Sequence, residues 1–361
     1  MAMIRCNDCK AEAQPLDWRC QQCGGSLDLT DLPAFDSDKI QDNDFSLWRY
    51  GDMLPVEKRF TLGEGMTPLA PVTLDGYTFQ AKLEYLNPTG SYKDRGTTTM
   101  LNHIAGYDVD EVIDNSSGNA GASIAAFASV AGIKARIFVP TDTAVASKKN
   151  LIRAFGGTIV ESINPTADVT AEAEHTTYAS HAWSPYFVLG QKTVSWETWE
   201  QLGKRVPDAI ATPVGHGGLF LGFYRGFKDL FDAGITDKMP KMIAVQSTGV
   251  DPIVRAWEQK SDMPVTVTRQ HSIADGILVD VPVRGRQILS AIYDTDGYAL
   301  RVDNNAIQAA QQRMTALGLI IEPTSAVTVA ALPQIREKIG DDAELVIAFT
   351  GNGLKNIGAS L

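Results

Sequence analysis

The sequence predicts an α/β protein built on a parallel sheet covered on both faces, preceded by a small zinc-ribbon-like segment. Three observations lead there. Short β-like runs alternate with Ala-rich amphipathic stretches such as GASIAAFASVAG and SKKNLIRAFGG, the pattern of strand–helix–strand units. Several of those runs end in Gly, Asn or Ser directly before a helix, which is where open α/β sheets place their ligands. All four cysteines fall within the first 23 residues.

Taken in order, the chain opens with Cys6 and Cys9 in CNDC, ten intervening residues, then Cys20 and Cys23 in CQQC, followed by Gly24 and Gly25. Two such knuckles present four thiolates to one zinc ion, and the glycines permit the tight second knuckle. A filled sphere of four thiolates holds structure and does no catalysis. Reduced, metal-free cysteines are the alternative; a redox CxxC lacks its usual βαβ surroundings. Residues 31–46, DLPAFDSDKIQDNDFS, are polar and Asp-rich and read as a linker. The strand expectations then run 77–86, 110–116, 135–140, 157–162, 208–215, 241–247 and 344–351.

With 361 residues, 44% apolar and 21% charged, the composition is that of a soluble enzyme with room for two lobes. No apolar run reaches membrane-spanning length, and MAMIRCNDCK lacks a signal-peptide core. We therefore expect a cytoplasmic protein without membrane contact. A net charge of −11 argues against a nucleic-acid partner.

Four loops carry the chemistry. LNPTGSYKDRG (86–96) delivers Lys93 between an aromatic ring and an Asp-Arg-Gly corner. Asp114–Gly121, DNSSGNAG, ends a strand and opens a helix, where successive N–H groups suit a carboxylate. Alone it also reads as a helix cap with a tight turn. VGHGGL (214–219) places three glycines within four positions before a helix, free to wrap a phosphate; it matches neither a Walker loop nor GxGxxG. FTGNGLK (349–355) sets the Thr350 hydroxyl at a strand end, and is otherwise a plain turn. An amine nucleophile, a phosphate cradle, an amide and a hydroxyl for a ring edge together suit pyridoxal phosphate.

These loops, with GEGMTPL (63–69), GQKT (190–193) and IEPTSA (321–326), resemble the threonine synthase-type enzymes of the tryptophan-synthase β-like (fold type II) pyridoxal phosphate family. The resemblance spans nearly the whole chain. It implies a two-lobed, three-layer α/β/α fold: a ribbon at 1–30, a large cofactor lobe from 31–98 and 191–361, and a smaller lobe at 99–190. It further implies that Lys93 carries the cofactor aldehyde, as the catalytic residue, and that Asn119 holds the ring's 3′ oxygen. Gly215, His216, Gly217, Gly218 and Leu219 would bind the cofactor phosphate, and Thr350 would face the pyridine nitrogen. Ser116, Ser117, Gly118 and Ala120 would face the substrate. Some members carry a similar ribbon, and members usually pair as homodimers.

The implied activity is a lyase reaction of threonine biosynthesis, turning O-phosphohomoserine and water into threonine and phosphate. Three positions depart from the family pattern: Ala120 stands where threonine is common, Ser184-Pro185 where Asn-Pro precedes GQKT, and His216 where asparagine is more usual. Serine/threonine dehydratase or cysteate synthase-like chemistry on phosphoserine is therefore the alternative on the same scaffold. A rival of another class is a binding module with a degenerate enzyme body. Lys148, Lys149 and Arg153 form a possible anion site or a solvated face, with His181 and Lys192 as weaker candidates.

Overall fold

The computed structural model describes residues 2–141 and 146–356. Two compact units account for it: residues 1–66 with 87–193, and residues 67–86 with 194–361. This division differs from the boundaries drawn from sequence, because residues 31–66 and 87–98 and the cysteine segment all belong with the first unit. The reason is local bonding. Gly65 N–H donates to Asn87 Oδ1 at 2.9 Å, and Ser123 Oγ donates to Asp94 Oδ1 at 2.7 Å, so the lysine loop is tied on both sides into that unit.

In the first unit a four-stranded parallel sheet runs in the order Thr158–Ser162, Lys134–Pro140, Glu111–Asp114, Thr177–Tyr178. The helices Lys93–Ile104 and Asn119–Ala131 pack on each other. The second is almost uniformly Ala and apolar, and it is buried over Ala120–Ala128, as a helix apolar on all sides must be. Gly132 closes it in the left-handed region, φ +71. A separate antiparallel pair, Met3–Cys6 with Leu27–Thr30, frames the cysteines.

The second unit holds a six-stranded sheet, ordered Tyr298–Val302, Lys241–Ser247, Ala209–Pro213, Leu345–Ala348, Tyr77–Lys82, Leu69–Leu74. All neighbours are parallel except the last pair, a hairpin turned at Asp75-Gly76. Both turn residues have positive φ, +52 and +86, the type I′ requirement. Alternate residues Ala209, Ala211, Ile243, Val245, Leu345 and Ile347 share a core with the helices Asn304–Ala316, Pro323–Ala330 and Leu332–Ile339. The intervening Ile210, Met242, Ala244 and Val346 are equally buried. Helices Gly218–Asp232, Pro252–Glu258 and Gly285–Asp294 pack on those strands too. Near-continuous apolar strands follow from burial on both faces.

Candidate active site

The lysine loop is built from backbone constraints outward. Gly65 adopts φ +95, and a Cβ there would stand 2.5 Å from Leu47 N. Beside it, buried Glu64 accepts from Trp48 Nε1 at 2.9 Å, Thr61 Oγ1 at 2.9 Å and Leu62 N at 2.8 Å. Gly65 fixes Asn87, whose carbonyl accepts the Gly90 N–H at 2.8 Å while Gly90 turns through φ +79. The chain then enters the helix Lys93–Ile104 at Lys93 itself. Lys93 is half-buried; its Nζ lies 4.8 Å from the centroid of the Tyr92 ring and 5.6 Å from that of Phe187.

Asp94 anchors this turn. It is fully buried and accepts from Thr89 N (2.7 Å), Thr89 Oγ1 (2.5 Å) and Ser123 Oγ (2.7 Å). Burial outweighs those donors and pushes its carboxyl up from 3.8 to about 6. A carboxyl raised on folding binds its proton more tightly in the native state, so stability falls as pH rises between these two values. The gap corresponds to roughly 3 kcal/mol. Chemical denaturation of wild type and Asp94→Asn across pH 4 to 6 is expected to show that loss in wild type only. A wild-type/variant difference constant over this range would contradict it.

The GQKT run holds the lysine turn from the other side. Gly190 permits close approach, since a Cβ there would lie 2.0 Å from the Arg95 carbonyl oxygen. Gly96 is similarly constrained by Phe187, 2.6 Å from its would-be Cβ. Gln191 Nε2 donates to the Tyr92 carbonyl at 3.1 Å, and Arg95 Nη1 donates to Thr193 Oγ1 at 3.2 Å. These residues position Lys93, and Lys192 between them is buried.

In the asparagine loop, Ser116 Oγ accepts the Gly118 N–H at 3.3 Å, and Gly118 is the N-cap of the helix that Asn119 opens. Gly121 is obligatory: a Cβ would sit 2.0 Å from the Ser116 carbonyl oxygen. Ser116, Ser117, Gly118 and Asn119 are partly exposed, whereas Ala120 is buried. At the foot of the loop, buried Asp114 pairs with His181 Nδ1 at 3.2 Å. Lys93 and Asn119 thus belong to one unit, their helices joined through Asp94 and Ser123. Lys149 is engaged with Glu161 at 2.9 Å and its side chain is largely covered, whereas Arg153 is exposed; the Lys148 side chain lies outside the described residues.

The second unit carries the remaining candidates. Val214-Gly215-His216-Gly217 follows the strand Ala209–Pro213 and leads into the helix Gly218–Asp232. Gly217 caps that helix at φ +92, and a Cβ would meet Ile288 Cδ1 at 2.4 Å. A Cβ on Gly215 would touch Ile277 Cα and Val279 Cγ2, both at 3.2 Å. His216 Nδ1 accepts the Val283 N–H at 3.5 Å. The first turn of a helix has no internal acceptors for its N–H groups, so Gly218 and Leu219 present donors and a positive dipole end to an anion.

Thr350 ends the strand Leu345–Ala348 in a buried position. Its Oγ1 lies 2.9 Å from Ser325 Oγ, and Ser325 Oγ also accepts the N–H groups of Thr350 (2.8 Å) and Gly351 (3.1 Å). Nothing in the sequence singles out Ser325 beyond its place in IEPTSA. Pro323 opens that helix at its first position, and Thr324 Oγ1 accepts the Gly276 N–H at 3.1 Å, fixing the 275–277 turn against it.

The cysteines also converge. The four Sγ atoms of Cys6, Cys9, Cys20 and Cys23 lie within 4.8 Å of one another. Gly24, at φ +73, and Gly25, whose Cβ would strike Asp8 Oδ2 at 2.3 Å, shape the second knuckle. The Cys23 N–H leads the groups that draw the Cys20 thiol down to about 7. Against the pull of the Gly25 N–H, the Cys6 and Cys9 thiols push Cys23 up to about 12. Four thiols this close ionise together only around a cation, so the quartet is compatible with a metal ion.

The profile of the family described as "Pyridoxal-phosphate dependent enzyme" matches residues 60–351. The chain is 31% identical to the threonine synthase of Methanocaldococcus jannaschii, covering 94% of this chain and 89% of that protein. It is 32% identical to the threonine synthase of Methanosarcina acetivorans, covering 99% and 93%. Among solved structures it resembles a threonine deaminase from T.th., with TM-score 0.63 and 25% identity over 79% of this chain and 92% of that one. A serine racemase from Dictyostelium discoideum gives TM-score 0.66 and 26% identity over the same shares. The glycine cradle, the hydroxyl-lined strand end and the lysine at a helix start therefore stand on a known scaffold: this chain belongs to the pyridoxal-phosphate dependent enzymes and is similar to their threonine synthases.

Proposed function

We propose that the chain is a lyase of threonine synthase type, converting O-phosphohomoserine and water to threonine and phosphate by γ-elimination and β-hydration. The observation that supports it most is the hydroxyl pair Thr350–Ser325 at a buried strand end, with buried Glu322 Oε1 3.4 Å beyond the Thr350 hydroxyl, in a chain whose Lys93 is held at a helix start by Asp94 and Gln191. In this reading Lys93 carries the cofactor aldehyde. Gly215, His216, Gly217, Gly218 and Leu219 hold its phosphate, Asn119 its 3′ oxygen, and Thr350 with Ser325 its ring nitrogen. Pyridoxal phosphate, when bound, supplies the electron sink that makes substrate Cα–H and Cβ–H acidic.

The chain's own residues do the rest. Hydroxyls at the ring nitrogen do not demand its protonation as a carboxylate would, which favours elimination and replacement over transamination. Lys93 Nζ takes and returns the proton at substrate Cα. The hydroxyls of Ser116 and Ser117 and the backbone of the loop through Gly118, with Ala120 beside them, hold and orient the substrate carboxylate. The cysteine quartet would hold a structural zinc, all four thiolates serving as its ligands. Cytoplasmic location is kept from the sequence expectation, and a homodimer is carried over from the family resemblance.

Ala120 favours a second reading, a serine/threonine dehydratase, because it lacks the hydroxyl that threonine synthases commonly offer there. Product assays separate the two. We expect phosphate and threonine from O-phosphohomoserine; no phosphate from it, with a 2-oxo acid from serine or threonine, would establish the dehydratase instead.

A further inference from the structure

The cysteine segment takes no part in that chemistry, yet its aromatic residue is packed against the support of the asparagine loop. Trp18 stands two residues before Cys20. Its ring centroid lies 5.0 Å from that of Tyr178, tilted, and 5.3 Å from that of Trp183, edge-on. It also covers the small core of Ile113, Phe138, Val169 and Tyr178. A second contact ties the segment to the helix that Lys93 begins: the Pro15 carbonyl accepts from His103 Nε2 at 2.9 Å.

Tyr178 in turn reaches the loop. Its hydroxyl donates to Asn115 Oδ1 at 2.7 Å, while Asn115 Nδ2 donates to Thr166 Oγ1 at 3.0 Å. Three residues on, His181 holds Asp114. Residues 114 and 115, from which the SSGNAG turn departs, are thus fixed by side chains of the 178–181 segment. Trp18 is what packs on that segment from the ribbon.

We propose that the four-cysteine ribbon is a buttress for the asparagine loop, with Trp18 and Tyr178 as its positioning residues. The two-stranded pair Met3–Cys6 and Leu27–Thr30 is too small to hold Trp18 in place alone. Closure of the quartet supplies the missing constraint. Loosening the ribbon then frees Tyr178, and with it the anchored side of the loop.

The test is hydrogen exchange on the holoenzyme. Wild type, Trp18→Ala, Tyr178→Phe, Trp18→Phe and the double change Cys9→Ser with Cys23→Ser are compared. Tyr178→Phe removes one hydroxyl and keeps the packing, so it carries the test should Trp18→Ala fail to fold. Peptides spanning 113–121 are expected to exchange about tenfold faster in all but wild type and Trp18→Phe, the scale of one lost hydrogen bond or aromatic pair. The strand Ala209–Pro213 of the other unit serves as the control and keeps its protection. Unchanged protection of 113–121 in Tyr178→Phe or in the double cysteine variant, or equal loss from 209–213, overturns the proposal. On the proposed substrate reading, KM for O-phosphohomoserine also rises about tenfold while kcat changes less. A loosened loop with unchanged KM would count against that reading of the loop and leave the buttress standing.

Discussion

Lys93→Ala is expected to fold as wild type does and to lose turnover by about 10⁴-fold or more, the combined scale of a lost covalent anchor and a lost proton carrier. The fold should survive because Lys93 supports little around it. It is half-buried, and its amine faces two aromatic rings at 4.8 and 5.6 Å. The turn itself is held by Asn87, Gly90, Asp94 and Gln191, none of which the substitution touches. A steady-state assay with O-phosphohomoserine, beside a denaturation curve, separates chemistry from stability. Activity within tenfold of wild type would remove Lys93 from the mechanism.

Lys82→Met should have the opposite profile, a stability loss of about 3–5 kcal/mol, because it leaves a carboxylate buried without its cation. Lys82 and Glu197 form an ion pair in which both side chains are inaccessible to solvent. Lys82 Nζ also donates to the Thr67 carbonyl at 2.6 Å and to Gln201 Oε1 at 2.8 Å. Thr67 Oγ1 donates to Glu84 Oε1 at 2.6 Å, bringing in a second buried carboxylate. Exchanging Lys82 and Glu197 together for methionine should recover part of the loss, since Glu197 then no longer stays behind as a lone charge, although buried Glu84 remains. Urea midpoints of the two variants check this. A single variant within about 1 kcal/mol of wild type would mean the pair is not stabilising in the way its burial implies. The pair also gives the threonine of GEGMTPL a structural duty, distinct from any contact with substrate.

That pair shows where sequence reading stops. Lys82 and Glu197 lie 115 positions apart, and nothing in periodicity or composition links them. Ser325 is hidden for the same reason: its partner Thr350 is 25 residues away. The glycine loops were legible because their chemistry is local. A backbone that must reach φ +92 at Gly217, or let a neighbour within 2.0 Å as at Gly121 and Gly190, leaves glycine in the sequence itself.

Among strands, the central parallel ones stood out as apolar runs. The missed ones each lacked that mark. Leu69–Leu74 is an edge strand carrying Pro71 with exposed alternate positions, although Asp75-Gly76 was a readable hairpin signal. Thr177–Tyr178 is only two residues long, and Tyr298–Val302 lies at the sheet's other edge. The ribbon pair, Met3–Cys6 and Leu27–Thr30, is shaped by its knuckles and leaves no hydrophobic period to read.

The claim on which the whole account depends is that this chain's cofactor is bonded to Lys93. Borohydride reduction of the pyridoxal phosphate-loaded protein, followed by peptide mass spectrometry, tests it most directly. One reduced pyridoxyl adduct is expected, on the peptide containing Lys93. An adduct on a different lysine, or none on protein that turns over substrate, would contradict it.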